Sequence, residues 1–308
     1  MGWTYTPDRQ RFEDEAGPFL ARHPVENSVP RTLCGTLSRH GPHAYGADPP
    51  LFGWWRPTHE APVAAAFLRT PPHPPLLTRG TPEAARSLAA GLSPPLPGVR
   101  GDSEAAWTFA EAWRDRTGAA VRAERALRVY RLGALTPRLP GPPGRPRTAG
   151  PADRELLLTW QREFAEELGE PNHPGERLVD DALAYGGRLL WEVDGAPVAM
   201  AGSTAPADGA IRVVDVYTPK GLRGRGYAGA ATAAVSRAAL DAGAGDVILF
   251  ADLANPVSTG LYQRLGYVPV RDHVTLSFTD PDPSSPRNPC GTRDAAPSGA
   301  RGGPGAAA

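Results

Sequence analysis

The sequence has almost no lysine, little cysteine, no surplus charge and no long apolar run, and most of these shortages remove a class of answer. Lys220 is the only lysine among 33 basic residues. With abundant alanine, glycine and proline, this reads as the bias of a GC-rich genome and says little about chemistry. The 2 cysteines, Cys34 and Cys290, lie far apart, the second in a polar tail. They read as free thiols in a reducing compartment. Basic and acidic residues balance at 33 each, with a formal net charge of +0 and a pI near 7.1. No global field therefore draws the chain to nucleic acid or an anionic membrane, and any anion it binds is held locally. No apolar run approaches the ~18 residues of a membrane span. The amino terminus "MGWTYTPDRQRFEDEAG" is acidic and polar where a secretory leader is basic and then apolar. A cytoplasmic protein is expected, with no nucleic-acid or membrane partner.

What is present is enough chain for two cores, since 308 residues exceed the usual size of one. Composition breaks at "TPRLPGPPGRPRTAGPAD", where proline and glycine forbid a regular element of useful length. It breaks again at Asp280, beyond which almost no large apolar residue remains to offset ordering entropy. The expected organisation is an amino-terminal lobe over 1–135, a linker over 136–152, a second lobe over 145–279 and a disordered tail over 280–308.

The first lobe reads as mixed α/β. A hairpin, "PLFGWWRP" and "APVAAAFLRT", surrounds Trp54, Trp55 and Phe67. A strand "PLLTRG" comes next, then a helix with Thr81 at its N-cap, a short extended piece near "PLPGV", a helix after Ser103 with Ala106, Phe109, Ala110 and Trp113 on one face, and a strand "LRVYRL". The tryptophans read as core. His40 and His43 in "HGPH" lack further ligands at metal-binding spacing, so no metal is expected.

The second lobe alternates regularly. One helix carries Leu157, Trp160, Phe164 and Leu168 on a stripe, and a shorter one spans "GERLVDDALAYG". Two strands join at Asp194-Gly195, a third is "AIRVVDVYT", and helix, strand, helix, strand complete the order. Such an order predicts a mixed, mostly antiparallel sheet flanked by helices, with one parallel crossover at its centre.

The turn "GLRGRGYAGA" joins that third strand to a helix beginning near Tyr227. A helix amino terminus offers unpaired N–H groups and a positive dipole end to a phosphate. Gly224 and Gly226 keep Cβ atoms out of the way, and Arg223 and Arg225 add permanent charge. The spacing is neither that of a dinucleotide fingerprint nor that of a P-loop.

Arg223-x-x-Gly226-x-Ala228, after a strand and opening a helix, resembles the pyrophosphate loop of the GNAT superfamily of N-acetyltransferases. Downstream, "DLANPVSTGLYQRLGYVPV" is similar to the family's second signature, with Asn255, Ser258, Tyr262 and Gly266-Tyr267 at matching spacings. The resemblance covers about Arg145 to Phe278, and "VYTPKGLRGRGYA" most resembles the glycine-N-acyltransferase-like branch. It implies an α/β fold whose central parallel strands splay to admit the pantetheine arm of acetyl-CoA, with transfer of its acetyl group to an amine by direct attack. In that reading the backbone of Val216, Tyr217 and Thr218 pairs with pantetheine, the loop Arg223, Gly224, Arg225, Gly226, Tyr227 and Ala228 holds pyrophosphate, and Asn255 and Ser258 complete the cofactor site. Tyr262 is the general acid for the departing thiolate; Asp215, ahead of Glu192, is the candidate base. The acceptor, a small-molecule or protein amine, is chosen by the first two helices and the loop "GEPNHPGE" near His173. Monomer and homodimer are both open. The rival reading is a regulatory module that binds acyl-CoA without turnover. The first lobe, with its parallel element order but "TRGTPEAA" in place of the glycine-arginine turn, is expected to be a degenerate copy that binds no CoA, lending Trp54 or Trp55 to the acceptor pocket or serving structure alone; an unrelated α/β domain is the competing reading.

Overall fold

A computed structural model describes residues 2–169 and 175–279. Strand β1 (Gly2–Thr6) leads into helices α1 (Arg9–Arg22) and α2 (Ser28–His40), then strands β2 (Leu51–Arg56), β3 (Ala65–Arg69) and β4 (Leu76–Leu77). Helix α3 (Pro82–Gly91), strand β5 (Gly98–Asp102), helix α4 (Ser103–Thr117) and the long strand β6 (Ala120–Leu132) close the first half. The second half repeats this order: β7 (Arg145–Thr148), α5 (Arg154–Glu167), α6 (Gly175–Ala184), β8 (Arg188–Val193), β9 (Ala196–Ser203), β10 (Ala210–Tyr217), α7 (Tyr227–Asp241), β11 (Asp246–Asp252), α8 (Pro256–Arg264) and β12 (Tyr267–Thr279). The class expected from patterning, α/β with a large mixed sheet flanked by helices, is what forms.

The three opening elements, β1, α1 and α2, have no counterpart in the elements expected from the sequence. Asp8 caps α1 by accepting from the Gln10 and Arg11 amides, a signal hidden by the polar run around it. The proline-rich stretch after Thr136 does contain a regular element, the four-residue β7, which sits at the sheet's edge where proline's missing N–H costs no ladder bond. Helix α4 begins one residue earlier than its Ser103 suggested, because the Asp102 carboxylate accepts from the Ala105 amide. The Asp194-Gly195 turn forms as expected, both residues at positive φ. The loop around His173 and the tail after Asp280, with Cys290, lie outside the described residues.

All strands join one sheet in the order β1-β2-β3-β4-β5-β12-β6-β11-β10-β9-β8-β7. The pairs β4·β5 and β10·β11 are parallel and every other pair is antiparallel. At the centre the halves exchange their last strands. β6 lies against β11 of the second half, and β12 lies against β5 of the first. Each exchanged strand plugs aromatic surface into the other half. Tyr130 is 1% exposed within the core under α7 and α8, and the Phe278 ring stacks 5.7 Å from Trp113 of α4. Burial of each such side chain contributes roughly 1.5–3 kcal/mol. Arg–Asp pairs cross the seam: Arg128–Asp272 at 2.6 Å, Arg271–Asp102 at 2.6 Å, Arg125–Asp252 at 3.2 Å and Arg131–Asp246. The break in composition at Thr136 is thus not a break in space, because β6 is already inside the second half's sheet.

Trp54 and Trp55 are each 2% exposed and belong to the first half's core. Cys34 is a buried free thiol that burial pushes up to about 12. Among the described residues no helix is long and apolar enough to cross a membrane, and no cluster of side chains has the makings of a metal site.

Candidate functional site

Strand β10 reaches Tyr217 and β11 reaches Asp252, yet the two pair only from Ala210↔Asp246 to Val213↔Leu249. Beyond Val213 they part, so the backbone of 214–217 has no partner from β11. On its other side β10 shifts register against β9 between Val214 and Tyr217, and Asp215 takes φ 51°. This bulge adds a residue to one strand and re-aims the side chains beyond it. Val216 packs toward α7 and α8, while Tyr217 turns to the opposite core beside Trp160 and Phe164 of α5. A non-glycine residue at positive φ costs about 1–3 kcal/mol unless its surroundings hold it. Here Arg188, 5% exposed, donates from Nη2 to Asp215 Oδ2. The Asp215 carboxylate is therefore committed to an ion pair. Glu192 is likewise engaged, accepting from Arg147 Nε at 2.8 Å, with Arg147 also clasping Asp153.

After the splay comes the turn. Thr218 is buried and its Oγ1 has no hydrogen-bond partner among the described residues. Residues Lys220–Leu222 make one 3₁₀ turn, Gly224 and Gly226 adopt φ 78° and 86°, and α7 starts without a side-chain cap. The N–H groups of its first turn are left for an external acceptor. Space does not demand the glycines here. A Cβ on Gly224 would meet nothing within 4 Å, and one on Gly226 only Pro142 at 3.8 Å. Their left-handed backbone does demand them. Of the two arginines, Arg225 stays outward, donating to the Gly221 carbonyl at 3.4 Å. Arg223 folds back as a brace: Nε donates to the Thr218 carbonyl at 2.8 Å, Nη2 to Glu167 at 2.7 Å, and the guanidinium lies 5.6 Å from the Tyr217 ring. Tyr217 donates to Glu163 at 2.8 Å, and burial, with Glu163, pushes its phenol up to about 12. Glu163 and Glu167, one helical turn apart on α5, thus tie that helix to the mouth of the turn. Their spacing was visible in the sequence; their partners were not. Tyr227 is 6% exposed in the core, so it offers this turn its backbone and not its side chain, beside the half-buried Ala228.

Helix α8 is capped by Asn255, whose Oδ1 accepts from the Ser258 amide at 3.1 Å, with Pro256 in its first turn. Tyr262 points from α8 into the core that also holds Val213, Tyr227 and Ala251. It is 8% exposed, meets the Tyr267 ring edge-to-face at 6.2 Å, and has no hydrogen bond from any described residue. Burial pushes its phenol up to about 12, so it keeps its proton at neutral pH. Beside it, Tyr267 and Ser236 share a buried 2.6 Å hydrogen bond. The structure thus sets Val216 and Tyr262 against the core under α7 and α8, with Thr218 and the turn 223–228 leading into α7. It gives Asp215, Arg223 and Asn255 contacts within the protein.

Residues 154–267 match the acetyltransferase (GNAT) family. No curated protein matches the chain. Among solved structures, a Drosophila protein is similar with TM-score 0.63 at 12% identity, over 91% of this chain and 99% of that one. A GCN5-related N-acetyltransferase from Sphaerobacter thermophilus gives TM-score 0.58 at 17% identity, over 91% and 96%. A GNAT-family acetyltransferase from Colwellia psychrerythraea gives 0.51 at 12%, over 74% and 84%. At such identities the likeness is one of fold, and in the first two it runs through both halves. With the parted strands, the bulge and the bare helix terminus in place, residues 154–267 form an acetyltransferase domain of the GNAT superfamily.

Proposed function

We propose that the chain is an N-acetyltransferase that moves the acetyl group of acetyl-CoA to a primary amine by direct attack. The observation that carries this reading is the separation of β10 from β11 after Val213, which leaves unpaired backbone leading straight to an uncapped helix. Acetyl-CoA supplies the activated thioester. The backbone of Val216, Tyr217 and Thr218 holds the pantetheine arm, and the free N–H groups around Gly224, Gly226, Tyr227 and Ala228 hold pyrophosphate, with Arg225 adding charge. Arg223 shapes the turn and lends its remaining charge. Asn255 and Ser258 border the same site at the start of α8. Tyr262 gives its proton to the leaving sulfur, as a neutral phenol without a competing partner can. Asp215 acts through the bulge it forms, which presents the following N–H groups to the site, while its carboxylate stays bound to Arg188.

The amino-terminal half, in this reading, is a copy of the same fold that has lost its cofactor site, and the whole belongs to the glycine-N-acyltransferase-like branch. The helices α5 and α6, with the loop between them, select the acceptor. The test is to mix full-length protein with acetyl-CoA and a panel of amines, following free thiol and product mass. One CoA bound per chain by calorimetry and amine-dependent thiol release are expected. Absence of CoA binding overturns the reading.

A further inference from the structure

On the far side of the sheet from α7, a small cavity lies where α2 of the first half meets β10 and β11 of the second. Its lining includes Ser28, Arg31, Thr204, Arg212 and Ile248. Three polar atoms of its lining residues, Ser28 Oγ, Arg31 Nη1 and Arg212 Nη1, are buried without a hydrogen-bond partner among the described residues. Ser28 is 5% exposed and Arg31 8%. Leaving one such group unpaired costs about 1–3 kcal/mol, more when it is charged. Three around one cavity are an unfilled coordination shell.

The charge is unbalanced too. Arg31 has Asp208, accepting from its Nε at 2.7 Å, although that carboxylate is 73% exposed. Asp246, which acts on Arg31 from further off, is held by Arg131. Asp215, the other carboxylate that acts on Arg212, is held by Arg188. Arg212 itself has no carboxylate at ion-pair distance among the described residues, and its guanidinium lies 5.8 Å from the Phe250 ring. Burial pulls its guanidinium down to about 10, which still leaves it charged at neutral pH. A water molecule relieves the unpaired N–H groups but not this excess positive charge.

We infer that this cavity is an anion site shared by the two halves, taking a monatomic anion such as chloride from Arg31, Arg212 and Ser28. The room is about that of a single water-sized sphere, which seats a monatomic anion once its side chains give by a few tenths of an ångström and excludes a phosphate or a carboxylate. The walls come from Ser28 and Arg31 on one half and Arg212 and Ile248 on the other, so occupancy favours the docked arrangement of the halves over any in which they separate. The site is independent of the acetyl-transfer reading, lying beyond the splay at the paired end of β10.

The experiment is thermal unfolding of the full chain in chloride or bromide against gluconate at constant ionic strength, with bromide-soaked crystals read by anomalous scattering. A saturable rise in melting temperature with halide alone is expected, with a bromide peak within hydrogen-bond reach of Arg31 Nη1 and Arg212 Nη1. Arg212→Met should fold and lose the halide response, its apolar side chain replacing an unpaired buried charge. Should that variant not fold, the wild-type bromide peak decides by itself. Equal melting in halide and gluconate, or a cavity holding only water at saturating bromide, overturns the inference.

Discussion

The two halves share an element order and differ where backbone could meet a ligand. In the second, β10 and β11 part after Val213 and α7 begins bare. In the first, β4 and β5 stay together to the end: Gly101 lies so close to Leu77, at φ 122°, that a Cβ there would collide with the Leu77 carbonyl. Helix α3 is sealed as well, with Thr81 Oγ1 accepting from the Ala84 amide at 3.2 Å and Pro82 removing an N–H at the first position. The next helix of each half is alike in one respect. Asp102 caps α4 as Asn255 caps α8, so the Asx residue at that place serves helix initiation in both halves. They differ in what they carry: α4 buries Phe109 and Trp113 against Phe278, whereas α8 presents Tyr262. The first half thus has a cap, a proline and one tight strand pair where the second has parted strands and a bare helix terminus.

The largest effect that would break this comparison is expected at Gly101. Gly101→Ala combines a left-handed backbone with a collision against a carbonyl, and should cost about 3 kcal/mol or more by denaturant unfolding. A loss below about 1 kcal/mol would mean that β4 and β5 are not closed tightly. The seam between the halves should be acid-sensitive. His273 on the exchanged strand β12 is 9% exposed, and burial pulls its imidazole down to about 4 from an ordinary 6.5. Between those values the unfolded chain binds a proton that the folded one refuses, so stability falls as pH drops through the window, by up to roughly 3 kcal/mol. His273→Gln should flatten that part of the pH profile, and an unchanged slope counts against a buried neutral imidazole.

Next in size is Tyr262→Phe, which should lower kcat about 100-fold with CoA affinity kept. Turnover at the wild-type rate would return Tyr262 to a packing role like that of Phe109. Gly226→Val, forced into φ 86°, should weaken CoA binding about 10-fold or more in a folded protein. Calorimetry on the parent should find one CoA per chain, and two would show that the first half is not closed. The smallest effect is Thr81→Ala, which removes the α3 cap and should cost about 1 kcal/mol of stability without touching CoA affinity. A variant that instead gains a second CoA site would show the cap to be the whole obstacle.

Much of this was legible in the chain, because helix and strand periods, caps and turn residues are local physics. The stripe of Leu157 and Trp160, the Asp194-Gly195 hairpin, the glycine turn before Tyr227 and Pro256 opening α8 all reported elements that form there. The second half's order came from such signals, while the acetyltransferase resemblance rested on the motifs at Arg223–Ala228 and Asn255–Tyr267. Long-range choices did not. Nothing in "LRVYRL" says that Tyr130 will enter the other half's core, since an exchanged strand and a returning one have the same alternation. Nothing near Arg188 says that it will hold Asp215 across the β9–β10 bulge, or that Arg223 will turn to Glu167 and not outward. Each of those outcomes rests on which buried charge finds a partner once the sheet has closed. That choice depends on distances set by the whole sheet, and residues far apart in sequence cannot carry it alone.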